Sequence, residues 1–373
     1  MASSVRAIAL INPLAARGRG RRAWPQIKAE LYRSGLPCDE VITQSGEDGM
    51  ARVQRAGADG YTTVISVGGD GTTHWAVNGL MHSLTTPPPA LAVIPEGTAN
   101  DFARCLGIPL KATVAARVLA RGVRRRVDVG QVNDRYYATI SGVGFDAEVA
   151  QRVNHWPRWI RGTTVYVAGI LQQLLVYHSA DTTITIDGRE QSLKMFLLAA
   201  ANTNCYGGGM YMAPHAKIDD GLLAVVYATD LTKFETLAVL PRVFSGRHLE
   251  HPKVFHTLAH EVRVDSATPL AIHADGESLG TVPAVFRIVP QAIEVIVPQR
   301  EVPLPAPTTV TARSRNGRAV LLGRKQALDG LDNLTSPLLK RLAIEPPVAA
   351  GHGERRSHAD RDPLKPRPAG PPR

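Results

Sequence analysis

Cysteine is scarce in this sequence. The 373 residues include only Cys38, Cys105 and Cys205, which are isolated, odd in number and without Cys-x-x-Cys spacing. This pattern favours neither a disulfide framework nor a zinc site, and it fits a protein that works in a reducing cytosol.

Long apolar runs are missing as well. The apolar run of residues 7–11 is cut short by Asn12 and Pro13, too early for the core of a signal peptide. No segment approaches the roughly 18 uninterrupted apolar residues of a transmembrane helix. We therefore expect a cytoplasmic protein that associates with a membrane at most peripherally.

The sequence also lacks two common site motifs. It contains neither Gly-x4-Gly-Lys-Ser/Thr nor His-Glu-x-x-His. Any nucleotide is therefore not held as in a P-loop protein, and a zinc-peptidase site is excluded.

The net charge of +10 is concentrated at the end of the chain. From residue 301 onward, thirteen Lys and Arg stand against seven Asp and Glu, which leaves a net charge of +4 for the preceding 300 residues. This mild excess fits an anionic membrane surface or an ordinary solvated surface, and it is too small to predict nucleic-acid binding.

Residues 61–81 are the most informative stretch. A short apolar segment rich in β-branched residues is followed by Gly68-Gly69-Asp70-Gly71-Thr72 and then by apolar residues at helical spacing. Glycines between a strand and a helix let backbone N–H groups approach an anion. A carboxylate beside bound phosphates requires a cation, so Asp70 is interpreted as serving Mg²⁺. Taken alone, the motif could equally be a turn with Asp70 as a helix cap.

Strands and helices alternate through residues 1–130, which predicts a Rossmann-like α/β domain with a largely parallel sheet. Short strands separated by turn residues dominate residues 131–300 and predict an antiparallel β-sandwich interrupted by helices at 160–177 and 231–244. Residues 301–373 hold eleven of the 27 prolines and much charge, which predicts a mostly disordered tail.

Three predicted strand ends carry the motifs Asn12-Pro13, Gly68-Gly69-Asp70-Gly71-Thr72 and 95–102, which reads Pro-Glu-Gly-Thr-Ala-Asn-Asp-Phe. Their order and spacing, continued by motifs up to Asp275-Gly276-Glu277, resemble the catalytic domain of the diacylglycerol kinase family, in particular its soluble bacterial lipid kinases. Sphingosine and ceramide kinases share this fold. The resemblance implies an ATP- and Mg²⁺-dependent lipid kinase.

The resemblance also implies roles for individual residues. Glu277 matches the general base, and Asp70, Asp101 and Asp128 match an acidic network that holds the catalytic Mg²⁺. A second, structural metal site would use Lys217, Asp220 and Leu222. The residues that match the nucleotide site are Asn12, Pro13, Leu14, Ala15, Ala16, Thr43, Gly69, Asp70, Gly71, Thr72, Thr73, His74, Trp75 and Thr98.

Taken one by one, these residues have simpler readings. Asp101 could cap a helix, Asp128 could pair with the arginines at 124–126, and Asp275-Gly276-Glu277 could be a hairpin turn. Lys217 to Gly221 could be a loop without a metal.

The sequence departs from the family at two positions. Trp75 stands where the family usually has an acidic residue, which puts nucleotide handling and activity in question. Glu96 stands where a small or apolar residue is usual, which adds negative charge near the phosphates.

The expected partner is a lipid substrate at a membrane surface, with no nucleic acid; a homodimer is left open. An apolar helix that includes Ile170 and Leu174, preceded by Trp156 and Trp159, would suit lipid and a membrane interface, although most of its aliphatic residues could instead simply pack over the sandwich. Two alternatives remain: a small-alcohol kinase resembling NAD kinases, and a catalytically silent lipid-binding protein on the same scaffold.

Overall fold

The structure, a computed structural model, describes residues 6–155 and 163–299 and two short segments, 312–313 and 319–320. Contacts divide the chain into units of residues 1–309 and 310–373, and all elements numbered below belong to the first unit. The predicted tail lies outside the described residues, apart from two short strands that pair with each other, Ala312–Arg313 and Ala319–Val320.

The first half alternates strands with helices, as the sequence predicts. Its strands are β1 (Ala7–Ile11), β2 (Cys38–Ile42), β3 (Thr63–Gly68), β4 (Ala90–Pro95) and β5 (Val123–Val132). Its helices are α1 (Arg19–Arg33), α2 (Gly46–Ala56), α3 (Asp70–Met81), α4 (Asp101–Cys105) and α5 (Ala112–Leu119). The first four strands pair in parallel in the order β2-β1-β3-β4.

Strands β1, β3 and β4 are buried along their whole length, which explains their unbroken apolar character. Helix α1 packs on α5 and helix α2 packs on α3. The α2–α3 contact needs a glycine, since a Cβ on Gly79 would lie 2.6 Å from Cβ of Val53. Because parallel strands end at the same edge, the loops after β1, β3 and β4 form one surface.

The second half is antiparallel and β-sandwich-like, as predicted. Its helices are α6 (Phe145–His155), α7 (Thr163–Val176) and α8 (Lys233–Val243). Its strands are β6 (Arg135–Tyr137), β7 (Ile140–Gly144), β8 (Ala180–Ile186), β9 (Arg189–Ala201), β10 (Leu223–Thr229), β11 (Val254–Ala259), β12 (Glu261–Asp265), β13 (Ala271–Ala274), β14 (Glu277–Thr281) and β15 (Ala284–Val297).

Strand β15 joins the two halves into one hydrogen-bonded sheet. Its first part pairs with β12, residues 286–289 and 293–297 pair with β5, and Val295 pairs in parallel with Leu91 of β4. The sequence predicts two strands here, at 284–289 and 293–297. The structure has one strand with an irregularity between Val289 and Ile293.

The sequence also predicts a single strand at 136–141. This prediction is wrong, because the structure divides the segment between β6 and β7. The break has a clear cause: the N–H groups of Ala138 and Thr139 donate to the carboxylate of Asp275, each at 2.8 Å, instead of to a neighbouring strand. Helix α6 and strands β11 and β14 were not predicted. The predicted helix at 160–177 is present from Thr163, while Trp156 and Trp159 lie outside the described residues.

No helix in the described part of the chain combines the length and apolar character needed to cross a membrane.

Candidate active site

The loops that follow β1, β3 and β4 are in direct contact. The side-chain amide of Asn12 donates to Oγ1 of Thr72 at 3.0 Å, and the N–H of Glu96 donates to the carbonyl of Gly68 at 2.8 Å. The structure therefore brings together the three motifs that the sequence places at separate strand ends.

Gly69 and Gly97 meet backbone to backbone. A Cβ on Gly97 would lie 2.3 Å from Cα of Gly69, and one on Gly69 would lie 2.9 Å from Cα of Gly97, so neither position accepts a side chain. Asn100, which is left-handed at φ 53°, secures this contact. Its side chain accepts from the N–H of Gly97 at 2.8 Å and donates to the carbonyl of Gly97 at 3.1 Å.

Asp70, which is half-buried, and Asp101, which is buried, interact electrostatically at the ends of β3 and β4. Oδ1 of Asp70 accepts from the N–H of Phe102 at 3.2 Å, so Asp70 caps α4 and not its own helix α3. Asp101 accepts from the N–H of Gly208 at 2.9 Å, so it reaches into the second half instead of capping α4.

Burial, reinforced by the charge of Asp101, raises the pKa of Asp70 to about 7. Burial likewise raises the pKa of Asp101, although the hydrogen bond from Gly208 opposes the shift. Two adjacent buried carboxylates carry a large electrostatic cost when both are ionised. A cation bound between them would remove that cost.

Asp128 has a different role in this structure. Its side chain is fully buried, and its two oxygens accept at 2.7 Å from the N–H groups of Gly221 and Gln291. The neighbouring arginines form ion pairs elsewhere, with Glu294 and Asp219. Asp128 therefore fixes the loop before β10 to the irregular part of β15, and any part it has in the Mg²⁺ network stays a prediction.

Glu277, at the start of β14, faces the glycine loop. Its Oε1 lies 3.3 Å from the position that a Cβ on Gly71 would occupy. Gly71 directly follows Asp70 at the beginning of α3. No hydrogen bond or ion pair engages the Glu277 carboxylate among residues 6–155 and 163–299. A carboxylate two hundred residues later in the sequence therefore meets the loop that carries Asp70.

A buried pair behind Glu277 sets its position. Nδ1 of His74 lies 3.0 Å from Oδ2 of Asp275, and both side chains are at most 2% exposed. Asp275 has φ 50° in the turn before Glu277 and also accepts from Ala138, Thr139 and Ile140. Burial alone would raise the pKa of Asp275, but the hydrogen bond and charge of His74, with the bonds from Thr139 and Ala138, lower it below its usual range.

Asn78, one helical turn after His74, strengthens the same contact. Its side chain donates to the carbonyl of Tyr136 at 2.8 Å and accepts from the N–H of Tyr136 at 3.0 Å. Helix α3 thus starts at the glycine loop and is hydrogen-bonded along one side to the second half of the protein.

The remaining residues of the predicted nucleotide site differ in exposure. Thr98 and Leu14 are exposed beside the glycine loops. Thr43 is buried, and its hydroxyl donates to the carbonyl of Ile11 at 3.3 Å. The side chains of Thr73 and His74 are each 2% exposed, so a ligand could reach these residues only through their backbone.

Trp75 closes one side of this region by packing on α2. A Cβ on Gly46 would lie 2.1 Å from Nε1 of Trp75, so the indole rests directly on the first residue of that helix. Trp75 also makes an edge contact with the ring of His74, with centroids 5.4 Å apart. An acidic side chain at position 75 could not fill this contact with Gly46.

The predicted structural metal site is a tight loop at the surface. The carboxylate of exposed Asp220 accepts from the N–H of Leu222 at 3.1 Å, and Lys217 is exposed nearby. Among the described residues no three His, Cys, Asp or Glu side chains cluster as metal ligands. A metal in this loop would depend on backbone carbonyls and water, and the site stays a prediction.

An apolar pocket lies in the second half, between α6, α7, α8 and the sheet. Its cavity holds about 70 Å³ for water-sized molecules, and the space grows to about 660 Å³ when the open solvent at its mouth is counted. Among its lining residues are Phe145, Asp146, Ile170, Phe196, Met210 and Val243. Asp146 connects the pocket to the active-site turn, because Nε2 of His273 lies 3.0 Å from Oδ2 of Asp146 and Nδ1 of His273 accepts from the N–H of Gly276 at 3.3 Å.

Two functional features were beyond the sequence interpretation. Asp275 is more than a turn residue, and His74 is more than a position in a nucleotide loop, because the two form the buried pair that supports Glu277. The only signal in the sequence was the Asp275-Gly276 pair, which is typical of a tight turn.

Residues 276–280 also show the Gly-x-Ser-x-Gly spacing of a hydrolase nucleophile. Ser278, however, is exposed on the antiparallel strand β14 and not on a strand-to-helix turn. These residues therefore do not form a hydrolase nucleophile turn.

Comparison with known proteins shows which family this chain resembles. The model of the diacylglycerol kinase catalytic domain matches residues 6–132, and that of the YegS C-terminal NAD kinase beta sandwich-like domain matches residues 139–297. A diacylglycerol kinase of Staphylococcus carnosus (strain TM300) is 29% identical over 294 residues, which covers 79% of this chain and 95% of the relative.

A diacylglycerol kinase of Mycobacterium tuberculosis (strain CDC 1551 / Oshkosh) is 31% identical over 298 residues, covering 78% of this chain and 94% of the relative. A crystal structure described as a diacylglycerol kinase from Bacillus anthracis str. Sterne superposes with a TM-score of 0.64 at 24% identity, covering 80% and 98% of the two chains, and shows a shared fold. The motifs, the arrangement of the strand-end loops and these similarities agree: the chain belongs to the diacylglycerol kinase family of lipid kinases.

Proposed function

We propose that the protein transfers the γ-phosphate of ATP to the hydroxyl group of diacylglycerol or a related lipid, with Mg²⁺ bound at Asp70 and Asp101 and with Glu277 as the general base. The observation that carries the proposal is the approach of the Glu277 carboxylate to Gly71, in the loop that begins α3. A phosphate held by this loop lies next to a group that can accept the proton of an attacking hydroxyl.

The phosphate-binding part consists of backbone. The Gly69–Gly97 contact brings the two loops together without intervening side chains, and the N-terminus of α3 has no side-chain cap, so its dipole favours an anion. These groups orient the phosphates without a lysine, which agrees with the absence of a P-loop motif.

The donor set suits Mg²⁺. This ion is usually bound by one or two carboxylates together with water and substrate phosphates, and Asp70 and Asp101 supply two carboxylates whose pKa values are raised by burial. When bound, Mg²⁺ would neutralise charge on the transferring phosphate. The chain's own contribution is to hold the two carboxylates, through the N–H groups of Phe102 and Gly208.

Glu277 would take the proton of the lipid hydroxyl. Its carboxylate has no competing partner among the described residues. The His74–Asp275 pair fixes the turn immediately before it, so buried hydrogen bonds position the base at the first residue of β14. Positioning of this kind is the main contribution that a protein makes to phosphoryl transfer.

The apolar pocket is the proposed place for an acyl chain. Its wall is apolar apart from a few groups, and its polar member Asp146 is separated from the Glu277 turn by one residue, His273. A lipid seated there would have its polar end near Glu277 and its apolar chain away from water.

The outer faces of α7 and α8 form the proposed contact with the membrane, here termed the α7–α8 surface. Phe234 is 86% exposed, and the nearby Lys233 donates to the carbonyl of Leu175 at 2.6 Å, so the two helices present adjacent apolar residues. Exposed apolar side chains beside a lysine are typical of peripheral membrane binding. The exposed members of the surface are Leu171, Leu175, Val176, Phe234 and Leu237.

The decisive experiment compares the wild type with Glu277→Gln, using γ-labelled ATP and lipid extracts. The variant should bind nucleotide and fold normally, while its turnover should fall by about 10²- to 10⁴-fold. Glu190→Gln, on exposed β9, is the matched control and should retain full turnover.

Full activity in Glu277→Gln would remove the proposed base. Labelled product formed only from small soluble alcohols would favour the small-alcohol kinase. Lipid binding by the wild type without any labelled product would favour a silent binding protein.

A further inference from the structure

Cys105 and Cys205, a hundred residues apart in the sequence, lie side by side next to the proposed active site. Their sulfur atoms are 3.5 Å apart, and the sulfur of Cys105 also lies 3.2 Å from Oδ1 of Asn204. Cys105 is the last residue of α4, the helix that begins at Asp101. Cys205 precedes Gly208, whose N–H donates to Asp101. The thiol pair and Asp101 therefore connect the same helix to the same loop.

We propose that Cys105 and Cys205 are a reversible redox modification site that forms an intramolecular disulfide on exposure to a hydroperoxide. A disulfide bond is about 2.05 Å long, so the two sulfurs must approach by roughly 1.5 Å, a distance that side-chain rotation with a small loop movement can supply. The product would covalently fix the loop that carries Gly208 to the helix that begins at Asp101.

The two thiols are chemically unequal. The hydrogen bond from Cys205 lowers the pKa of Cys105, while that same bond and burial raise the pKa of Cys205. Cys105 is also half-buried, whereas Cys205 is buried. Since the thiolate is the reactive form, Cys105 is the attacking group and Cys205 is the resolving thiol.

The reaction balances in two steps. The Cys105 thiolate attacks one peroxide oxygen, the O–O bond breaks, Cys105 becomes a sulfenic acid, and the other oxygen leaves as water after taking a proton. The sulfur of Cys205 then attacks the sulfenic sulfur, its S–O bond breaks, and the hydroxide leaves as water with the Cys205 proton. Two thiols are oxidised by two electrons, and the hydroperoxide is reduced by the same number.

Cys38 provides an internal control. It is buried in β2, and burial raises its pKa to about 11, so it should not react under mild conditions. This inference makes no use of phosphoryl transfer, so its test and that of the proposed function are independent.

The experiment treats the folded, full-length protein with a slight excess of hydrogen peroxide, blocks remaining thiols with iodoacetamide and measures intact mass and tryptic peptides. In the wild type and in Cys38→Ser, we expect the mass to fall by two hydrogen atoms before blocking, and a linked peptide pair to contain Cys105 and Cys205. Dithiothreitol should reverse both changes. In Cys205→Ser, Cys105 should gain oxygen instead, and Cys105→Ser should remain unmodified.

The inference is overturned if the treated wild type keeps all three thiols reduced, gains only oxygen atoms or forms links between molecules. It is overturned equally if Cys38→Ser prevents the change. The wild type and Cys38→Ser are sufficient to test whether the disulfide forms. The test therefore remains valid even if Cys105→Ser or Cys205→Ser folds poorly.

Discussion

Nδ1 of His74, on the first helix after the glycine loop, lies 3.0 Å from Oδ2 of Asp275, in the turn that precedes Glu277. The pair is buried and separated by 201 positions in the sequence. It connects the two motifs that meet in the proposed mechanism, and Asp275 additionally orders the backbone between β6 and β7. The active-site arrangement therefore depends on a contact that does not itself touch the reacting atoms.

A double-mutant cycle should detect this contact. His74→Ala and Asp275→Asn should each lower the free energy of unfolding, with a coupling of about 1–3 kcal/mol because a buried, charged hydrogen bond is lost in either variant. Chemical denaturation of the four proteins measures the coupling. The exposed His260–Asp187 pair, 3.7 Å apart, is the matched control and should give a coupling of about 0–0.5 kcal/mol. Equal coupling in the two cycles would contradict a special role for the buried pair.

Asp70 predicts a distinctive pH dependence in the metal-free protein. Its pKa is about 7 when folded and 3.8 in its ordinary state, so the folded protein binds the proton more tightly than the unfolded chain. The stability it contributes is complete below pH 3.8 and is lost as the pH rises to about 7. The free energy of unfolding of Asp70→Asn, relative to that of wild type, should rise by up to about 1.4 kcal/mol per pH unit over this range. Above about pH 7 the difference should stay constant.

Unfolding curves at several pH values, with a chelator present, measure this difference. Asp134→Asn, in an exposed turn, is the control and should show no such trend. Added Mg²⁺ should stabilise the wild type more at pH 8 than at pH 6, and should have little effect on Asp70→Asn. A pH-independent difference between Asp70→Asn and wild type would refute the raised pKa.

Gly97→Ala should damage both stability and activity. The new Cβ would lie 2.3 Å from Cα of Gly69, so the two phosphate-binding loops must separate. We expect the free energy of unfolding to fall by about 1–3 kcal/mol, as at other overpacked sites. Nucleotide affinity, measured by calorimetry, should fall clearly as well. Gly49→Ala, where a new Cβ would meet Thr43 at an ordinary 3.5 Å within α2, should be neutral or slightly stabilising. Normal nucleotide binding by Gly97→Ala would show that the loops do not hold phosphate.

Phe234→Glu should weaken binding to vesicles that contain anionic lipid. Burying one phenylalanine side chain stabilises a complex by about 1.5–3 kcal/mol, so the affinity for the vesicles should fall by at least about tenfold. Co-sedimentation with vesicles measures the effect, and Tyr32→Glu, an exposed aromatic on α1, is the control. If both variants bind equally to the vesicles, the α7–α8 surface is not the membrane contact.

The sequence predicted well those features that depend on local pattern. The strand before Gly68, the helix after it and the alternation through β5 follow from apolar spacing and turn residues. The family resemblance then brought Glu277 into the site, which spacing alone could not do. For Asp128 the structure adds what the resemblance does not give: its two oxygens accept from backbone N–H groups of a loop and of β15, while its role in the Mg²⁺ network stays a prediction.

What could not be predicted depends on long-range contacts. Nothing near Asp275 indicates that its carboxylate would break a strand at Ala138, since the donors and acceptor are more than a hundred residues apart. The isolated cysteines likewise give no sign that two of them touch. Trp75 was recognised as a departure from the family, but its packing on Gly46 required the coordinates.

Strand β15 has a consequence for how this protein is made. The strand that borders both β4 and β5 is supplied by residues 284–297, so a ribosome that has synthesised only the nucleotide-binding half leaves the edges of those strands without their neighbour. Unpaired edges invite association between chains. The first half should therefore be insoluble when expressed alone, and its maturation must wait until nearly the whole described chain has emerged.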